Sequence, residues 1–159
     1  MFEISFCIET DPVPKARARC PGRFSKTRTP WTPKTTAEFE RKVAISAKKA
    51  MGESLPTDLP LVATMIFLMR VPVSRDGKRL SKSQLAEFRC GLVQHDRKPD
   101  LDNLKKSVLD GMNEIVYNDD GQVVLFEKSF KRYAMDGEVP CVFVRLREAT
   151  LEEIYGVLE

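Results

Sequence analysis

The sequence is poor in the residues on which several kinds of site depend. It has one histidine, His95, and four cysteines with no C-x-x-C pair among them. Zinc centres need clustered cysteine and histidine, and small secreted domains need dense disulfides, so the sequence fits neither class. It also has no glycine-rich phosphate-binding loop, so we expect no nucleotide cofactor. We expect all four cysteines to be reduced and most of them to be small packing residues.

Long hydrophobic runs are absent too. The longest, residues 59–69, is interrupted by Pro60 and Thr64, and it has about half of the ~20 residues that a membrane-spanning helix needs. The residues after Met1 lack the basic region and small-residue cleavage site of a signal peptide. We therefore expect no membrane association and a cytoplasmic location.

The residues that are present suffice for a folded domain. The chain has 159 residues, of which 42% are hydrophobic and 31% charged, and this balance excludes the disordered and collagen-like classes. A chain of this length buries roughly 70% of its unfolded surface and needs no disulfides for stability. We expect residues 1–159 to form one domain.

The formal net charge of +3 conceals an uneven distribution. Residues 12–50 contain eleven basic and two acidic residues, a net charge of +9, so the rest of the chain carries −6. We call residues 12–34, which include Phe24 and Trp31, the basic arm. Basic residues interleaved with aromatics are typical of surfaces that bind phosphates and stack on bases. A solvated surface arm with Trp31 packed on the domain is an equally good interpretation of this pattern.

Hydrophobic periodicity predicts the order of the secondary structure. Apolar residues alternate over 2–8, as in a half-buried strand, and recur every three or four residues over 101–116, as in an amphipathic helix. The predicted strands are 2–8, 59–71, 122–133 and 139–147, and the last two are joined as a hairpin at Asp136-Gly137. The predicted helices run from Thr35 or Thr36 to about Gly52, over 81–89 within a basic insertion loop at 74–98, over 101–116 and over 149–158. The buried side of the first helix is predicted to carry Phe39, Val43, Ala47 and Ala50. These elements predict an α+β fold with a mixed or antiparallel sheet packed against helices.

Acidic residues gather around the helix over 101–116. Asp100 falls at its N-cap position, and Asp102 and Lys106, four residues apart, project from one face. Asp119 and Asp120 follow its far end, and spacing alone does not settle whether Asp120 returns to the other carboxylates. Three carboxylates with no nearby histidine or cysteine suit Mg²⁺, with Mn²⁺ as a substitute. Such a site can hydrolyse a phosphodiester, with a lysine stabilising the developing charge.

The same residues also have a purely structural interpretation. Asp100 would then only cap the helix, Asp102 would interact with the helix dipole and with Lys106, and Asp119-Asp120 would form a turn. Spacing alone favours this interpretation, because acidic helix starts and turns are common.

The sequence also resembles that of a known protein family. The run Lys98-Pro99-Asp100-Leu101-Asp102-Asn103-Leu104, followed by Lys106, Asp110 and Asp119-Asp120-x-Gln122-Val123, resembles the signature of the RusA family of Holliday junction resolvases. The similarity extends to Pro12-x-Pro14-Lys15-x-Arg17-x-Arg19 and to Lys128. It implies a small Mg²⁺-dependent homodimeric endonuclease that cuts four-way junction DNA by paired nicks in recombination and repair. Proteins of this kind are carried by phages and prophages.

The resemblance also implies roles for individual residues. The metal carboxylates would be Asp100, Asp102 and Asp120, with Lys106 as the catalytic lysine, and no definite role falls to Asp119. The residues that would contact DNA are Lys15, Arg17, Arg19, Arg23, Lys26, Arg28 and Lys98. Two other functions remain open, a module that binds branched DNA without cutting it and a protein-interaction domain with no role in nucleic-acid binding.

Overall fold

The computed structural model of the chain describes residues 2–16, 32–75 and 77–156. The strands are β1 (Glu3–Ile8), β2 (Leu61–Met69), β3 (Ser74–Arg75), β4 (Lys78–Arg79), β5 (Val123–Phe126), β6 (Phe130–Tyr133) and β7 (Cys141–Glu148). The helices are α1 (Lys34–Met51), α2 (Lys82–Arg89), α3 (Leu101–Met112) and α4 (Leu151–Tyr155), with a short 3-10 helix at Asp120–Gln122. The predicted α+β class is confirmed.

Strand β2 is the centre of a five-stranded sheet. One edge of β2 pairs antiparallel with β7, which pairs antiparallel with β1 on its other side. The opposite edge of β2 pairs parallel with β5 along residues 61–63 and with β6 along residues 66–69. A strand enclosed in this way reads as a nearly continuous apolar run, and most of β2 is buried. Apolar residues recur about every 3.6 residues along α1 and α3, so each helix has one apolar side, and both sides pack into the same core.

Helices α1 and α3 approach each other closely at Gly111. A Cβ atom at this position would lie 2.8 Å from the Val43 Cβ and 2.9 Å from the Glu40 carbonyl oxygen, inside van der Waals contact. The missing side chain therefore lets the two backbones come together. The contact also places Glu40 of α1 next to Asp110, the residue before Gly111.

The start of α1 differs from the prediction. Its N-cap is Pro33, not Thr35 or Thr36, and no side chain caps it. Thr36 is almost completely buried on the side that faces the core, so packing against the domain decides where the helix begins. The buried side includes the predicted Phe39, Val43 and Ala47, but ends with Met51 instead of Ala50.

The predicted hairpin between the last two strands is wrong. Residues 122–133 form two strands, β5 and β6, and neither pairs with β7, because β2 lies between them. Ile66 of β2 is opposite both Phe130 of β6 and Phe143 of β7. The turn at Gly137, where φ is 80°, is present. The Asp136-Gly137 dipeptide therefore predicts the local turn correctly, but it does not determine which strands pair.

Helix α3 is shorter than its apolar pattern predicts. It ends at Met112 instead of Val116, and Glu114 has a left-handed φ of 61°. The Glu114 backbone N–H donates to the Tyr117 carbonyl at 2.8 Å, which closes a turn. Val116 and Tyr117 are completely buried although they lie outside the helix. The turn thus preserves the burial that the periodicity indicates while reversing the chain.

The insertion loop at 74–98 contains the predicted α2, whose N-cap Ser81 forms a capping box with Gln84. It also contains an unpredicted two-stranded ribbon, β3–β4. Within the described residues no helix is long and apolar enough to span a membrane.

The described cysteines, Cys7, Cys90 and Cys141, are free thiols. Cys7 and Cys90 are exposed, so the expectation that they are packing residues is wrong, whereas Cys141 is partly buried. Cys20 lies outside the described residues.

We predict that Gly111→Ala destabilises the protein. Alanine gains roughly 1 kcal/mol of helix propensity, but overpacking against the Glu40 backbone should lower the free energy of unfolding by about 1–3 kcal/mol overall. Urea denaturation of the two proteins measures the difference. A variant as stable as the wild type would show that α1 and α3 separate easily at this contact.

We also predict a pH-dependent contribution from Glu138, which pairs with Arg132 through two hydrogen bonds at 2.5 and 2.7 Å. The Arg132 guanidinium and the Met135 backbone N–H lower the pKa of Glu138 from 4.5 to about 2. Because the folded-state pKa is depressed, the stabilisation is complete above pH 4.5 and is lost as the pH falls towards 2. The difference in unfolding free energy between wild type and Glu138→Gln should therefore shrink from pH 6 to pH 2.5. A difference that stays constant over this range would contradict the assignment.

Candidate active site

The candidate site begins at the N-terminus of α3. Asp100 occupies the N-cap position with extended φ and ψ, but its side chain makes no capping hydrogen bond. The segment before it is held by Lys131, whose Nζ donates to the carbonyls of Arg97 at 2.6 Å and Pro99 at 2.7 Å. The purely structural interpretation of Asp100 as a capping side chain is therefore not supported.

Three charged residues follow one another along α3. Asp102, Lys106 and Asp110 are four residues apart, so each lies about 6 Å further along the axis on nearly the same face. Asp102 is exposed in the first turn, where a carboxylate is favoured by the helix dipole. Lys106 is half-exposed, and Asp110 is mostly buried.

Asp120 returns to the middle of this face. The Lys106 Nζ forms an ion pair with the Asp120 Oδ2 and a second with the Asp110 Oδ1, at 3.0 Å for the latter. The return follows from the early end of α3 and from the Gln122 side chain, which donates to the Thr57 carbonyl at 2.8 Å. Asp120 therefore reaches Lys106, one helical turn from Asp102.

The neighbouring acidic residue, Asp119, has a different role. It is the N-cap of the 3-10 helix and accepts a hydrogen bond from the Gly121 backbone N–H at 2.8 Å. The Gln122 side chain accepts in return from the Asp119 backbone N–H at 3.1 Å. Asp119 thus stabilises the turn that carries Asp120.

The basic arm starts on α3. The Lys15 backbone N–H donates to the Asn103 carbonyl at 2.8 Å, and the Ser107 hydroxyl donates to the Val13 carbonyl at 2.6 Å. The Lys15 Nζ lies 2.7 Å from the Glu40 Oε1 and 2.5 Å from the Asp110 Oδ2. The ammonium group that we expected to contact DNA is thus held in two partly buried ion pairs.

The ion pairs fix the charges of this cluster. Burial alone would lower the pKa of Lys15, but Asp110 and Glu40 raise it above 10.5. Asp120 and then Asp110 raise the pKa of Lys106 above the same value, against a smaller opposing effect of burial. Burial would raise the pKa of Asp110, but Lys15 and Lys106 together hold it below 3.8. Both lysines are therefore cations in this arrangement.

The donors match a hard divalent cation in kind, since Asp100, Asp102 and Asp120 offer only carboxylate oxygens. In the part of the chain that the structure describes, no three His, Cys, Asp or Glu side chains form a ready-made metal-binding group. Asp120 instead pairs with Lys106. A cation that bound the Asp120 Oδ2 would compete with this ammonium.

The other predicted DNA-contacting residues are mostly outside the described part of the chain. Lys98 is exposed immediately before Pro99 at the entrance to α3. Five further positions cannot be placed and remain predictions, namely Arg17, Arg19, Arg23, Lys26 and Arg28.

Sequence reasoning assigned no role to Asp110 or Glu40, although both contact the lysines of the site. Asp110 had a usable signal, because it continues the four-residue spacing of Asp102 and Lys106. Glu40 had none, since it reaches the site only through the contact between α1 and α3.

Comparison with known proteins identifies a family and a relative. The endodeoxyribonuclease RusA family matches residues 9–147. A similar protein is the uncharacterised protein YqaN of Bacillus subtilis (strain 168), which is 31% identical over 148 residues that cover 92% of this chain and 97% of YqaN. The chain belongs to the RusA endodeoxyribonuclease family, and this membership supports a nuclease.

We predict that the two acidic capping positions contribute differently to stability. Asp119→Ala removes a side-chain cap and should lower the free energy of unfolding by about 1 kcal/mol. Asp100→Ala removes no such bond and should change it by no more than about 0.5 kcal/mol, the size of an exposed helix-dipole effect. Chemical denaturation at neutral pH without divalent cations compares them. Equal losses in the two variants would mean that Asp100 also acts as a capping side chain.

Proposed function

We propose that this protein is a Mg²⁺-dependent endonuclease that resolves four-way DNA junctions by paired phosphodiester hydrolysis in recombination and repair. The observation that carries the proposal is the pairing of Asp120 with Lys106 on the face of α3 that begins with Asp102. Family membership supports nuclease chemistry. The dependence on Mg²⁺ and the choice of junctions are our inference.

The residues of the site would have different roles in this reaction. Asp100, Asp102 and Asp120 would hold the divalent cation, which when bound supplies an activated water and charge stabilisation at the scissile phosphate. Lys106, which is a cation in this arrangement, would place a positive charge where the phosphate gains negative charge. Asp119 keeps the turn in place, so that Asp120 is presented to α3.

The basic arm would bind the DNA backbone. Its described residues Val13 and Lys15 are anchored on α3 by hydrogen bonds to Ser107 and Asn103. The basic residues of the arm would displace counterions from phosphates and make the binding dependent on salt. Lys98 supplies one more cation beside Asp100.

A homodimer is the simplest assembly for this reaction. A four-way junction offers two equivalent strands, and two copies of one site related by a two-fold axis can cut both. We propose a homodimer on this symmetry argument.

A second candidate function is a module that binds branched DNA without cutting it. It is favoured by one observation, the absence of a preassembled group of three acidic side chains in the described residues. Binding without cleavage would follow if Asp120 stayed paired with Lys106. The presence or absence of nicked product distinguishes the two functions.

We predict that Asp102→Asn abolishes cleavage while junction binding persists. The substitution removes one charged ligand, so the single-turnover rate on a synthetic four-way junction with Mg²⁺ should fall by roughly 100-fold or more. Lys106→Ala should slow cleavage as well. Electrophoretic mobility shifts in EDTA, with linear duplex as competitor, measure binding separately.

Asp119→Asn is the matched control, because it changes the adjacent acidic group but keeps a side chain that can cap. It should cut at close to the wild-type rate. Wild-type protein that binds junctions but yields no ligatable nicks with Mg²⁺ would replace the nuclease with the binding module. Wild-type protein without salt-dependent DNA affinity would exclude both.

A further inference from the structure

Asp110 joins the two lysines of the site. Its Oδ1 accepts from the Lys106 Nζ at 3.0 Å, and its Oδ2 lies 2.5 Å from the Lys15 Nζ. The Asp110 side chain is only 17% exposed, against 49% for Lys106. A carboxylate this well covered needs its cationic partners, because an unpaired buried charge is costly.

Lys106 has two carboxylate partners, Asp110 and Asp120. In the proposed function, Asp120 also becomes a ligand of the divalent cation. A carboxylate that ligates a divalent cation is less available to an ammonium group, and the two positive charges repel each other. When Asp120 becomes a ligand, Lys106 needs another anion to keep its position. Among the described residues, the second ion pair of Lys106 is with Asp110.

Asp110 is well suited to retain the lysine, because its own position is fixed from several sides. It stands on α3 one residue before Gly111, where α1 leaves no room for a side chain. Its second oxygen is held by Lys15, which also bonds Glu40 of α1 at 2.7 Å. The Lys15 backbone is in turn bonded to Asn103 of α3. A partner that is already ordered loses little entropy when it holds an ammonium.

We infer that Asp110 is a positioning residue, which holds the Lys106 ammonium over the face of α3 while Asp120 changes from an ion-pair partner into a cation ligand. The inference rests on the proposed function, because it requires Asp120 to bind a cation. Lys15 contributes by fixing the second oxygen of Asp110.

The two partners of Lys106 then have opposite effects on cation binding. In Asp110→Asn, Asp120 is the one remaining carboxylate partner of Lys106. The ion pair between them should then be harder to separate, so a cation that needs Asp120 as a ligand should bind more weakly. In Lys106→Met, Asp120 is released, and the cation should bind at least as tightly as in the wild type. Once Lys106 is gone, removing the charge of Asp110 should have no further effect, since Asp110 acts through the lysine.

A double-mutant cycle tests the inference with Mn²⁺ as the probe and without DNA. Calorimetry or Mn²⁺ paramagnetic resonance gives the affinity of wild type, Asp110→Asn, Lys106→Met and the double variant. Asp110→Asn should weaken Mn²⁺ binding about three- to tenfold, in line with the loss of one partly exposed ion pair. The double variant should match Lys106→Met. A similar weakening in both backgrounds, or none in either, overturns the inference.

Cleavage supplies a second readout. Asp110→Asn should lower the single-turnover rate at saturating junction while the junction Kd stays unchanged, whereas loss of fold would impair both. Asp110→Glu, which keeps the charge but moves it by one methylene, should retain Mn²⁺ affinity yet cut more slowly, and it serves if Asp110→Asn does not fold. Full cleavage by Asp110→Glu and Asp110→Asn would overturn the inference.

Glu138→Gln is the matched control, because Glu138 forms a partly buried ion pair with Arg132 that does not involve α3. It should leave Mn²⁺ affinity and cleavage unchanged. Wild-type protein that binds Mn²⁺ but does not cut junctions would refute the proposed function, and the Mn²⁺ cycle would still decide the role of Asp110. Wild-type protein that binds no Mn²⁺ would overturn the inference itself.

Discussion

The close contact of α1 with α3 at Gly111 is the constraint on which the candidate site depends. With no side chain at this position, the Glu40 backbone approaches α3, and the carboxylates of Glu40 and Asp110 face the same ammonium group, that of Lys15. Two carboxylates so close would repel each other without that cation. Core packing, the start of the basic arm and the charges of the candidate site are therefore one connected arrangement.

Much of the site could be predicted because its signals are local. Asp100, Asp102 and Lys106 lie within two turns of one helix, so a 3.6-residue period is enough to place them on α3. The return of Asp120 could not be predicted in the same way. Apolar periodicity runs on to Val116, but the helix ends at Met112 and the later residues are buried in a turn. The apolar periodicity indicates which residues are buried, and burial continues to Val116 although the helix ends at Met112.

The same distinction explains the wrong hairpin. Gly137 provides a genuine turn, and such turns usually join neighbouring strands. The most apolar strand, β2, instead takes the central place and separates β6 from β7. Which strands pair depends on which strand can be buried on both edges. This choice involves residues far apart in the sequence, such as Ile66 and Phe143, which are 77 positions apart. The different roles of Asp119 and Asp120 likewise could not be predicted from the sequence. Only the folded turn shows that the Asp119 carboxylate accepts the capping hydrogen bond, whereas Asp120 pairs with Lys106.

The charges of the site indicate the order in which its ligands would arrive. Asp100 and Asp102 are exposed carboxylates at the start of α3, and they would repel a phosphodiester. Lys106 does not offset them in the state described here, because Asp110 and Asp120 already share its charge. A divalent cation held by these carboxylates would neutralise most of the negative charge of this surface and, by engaging Asp120, would leave Lys106 with Asp110 as its anionic partner. A bound cation would therefore weaken the repulsion between this face and phosphate and would give the lysine charge a function it lacks beforehand, so cation binding should precede productive binding of DNA.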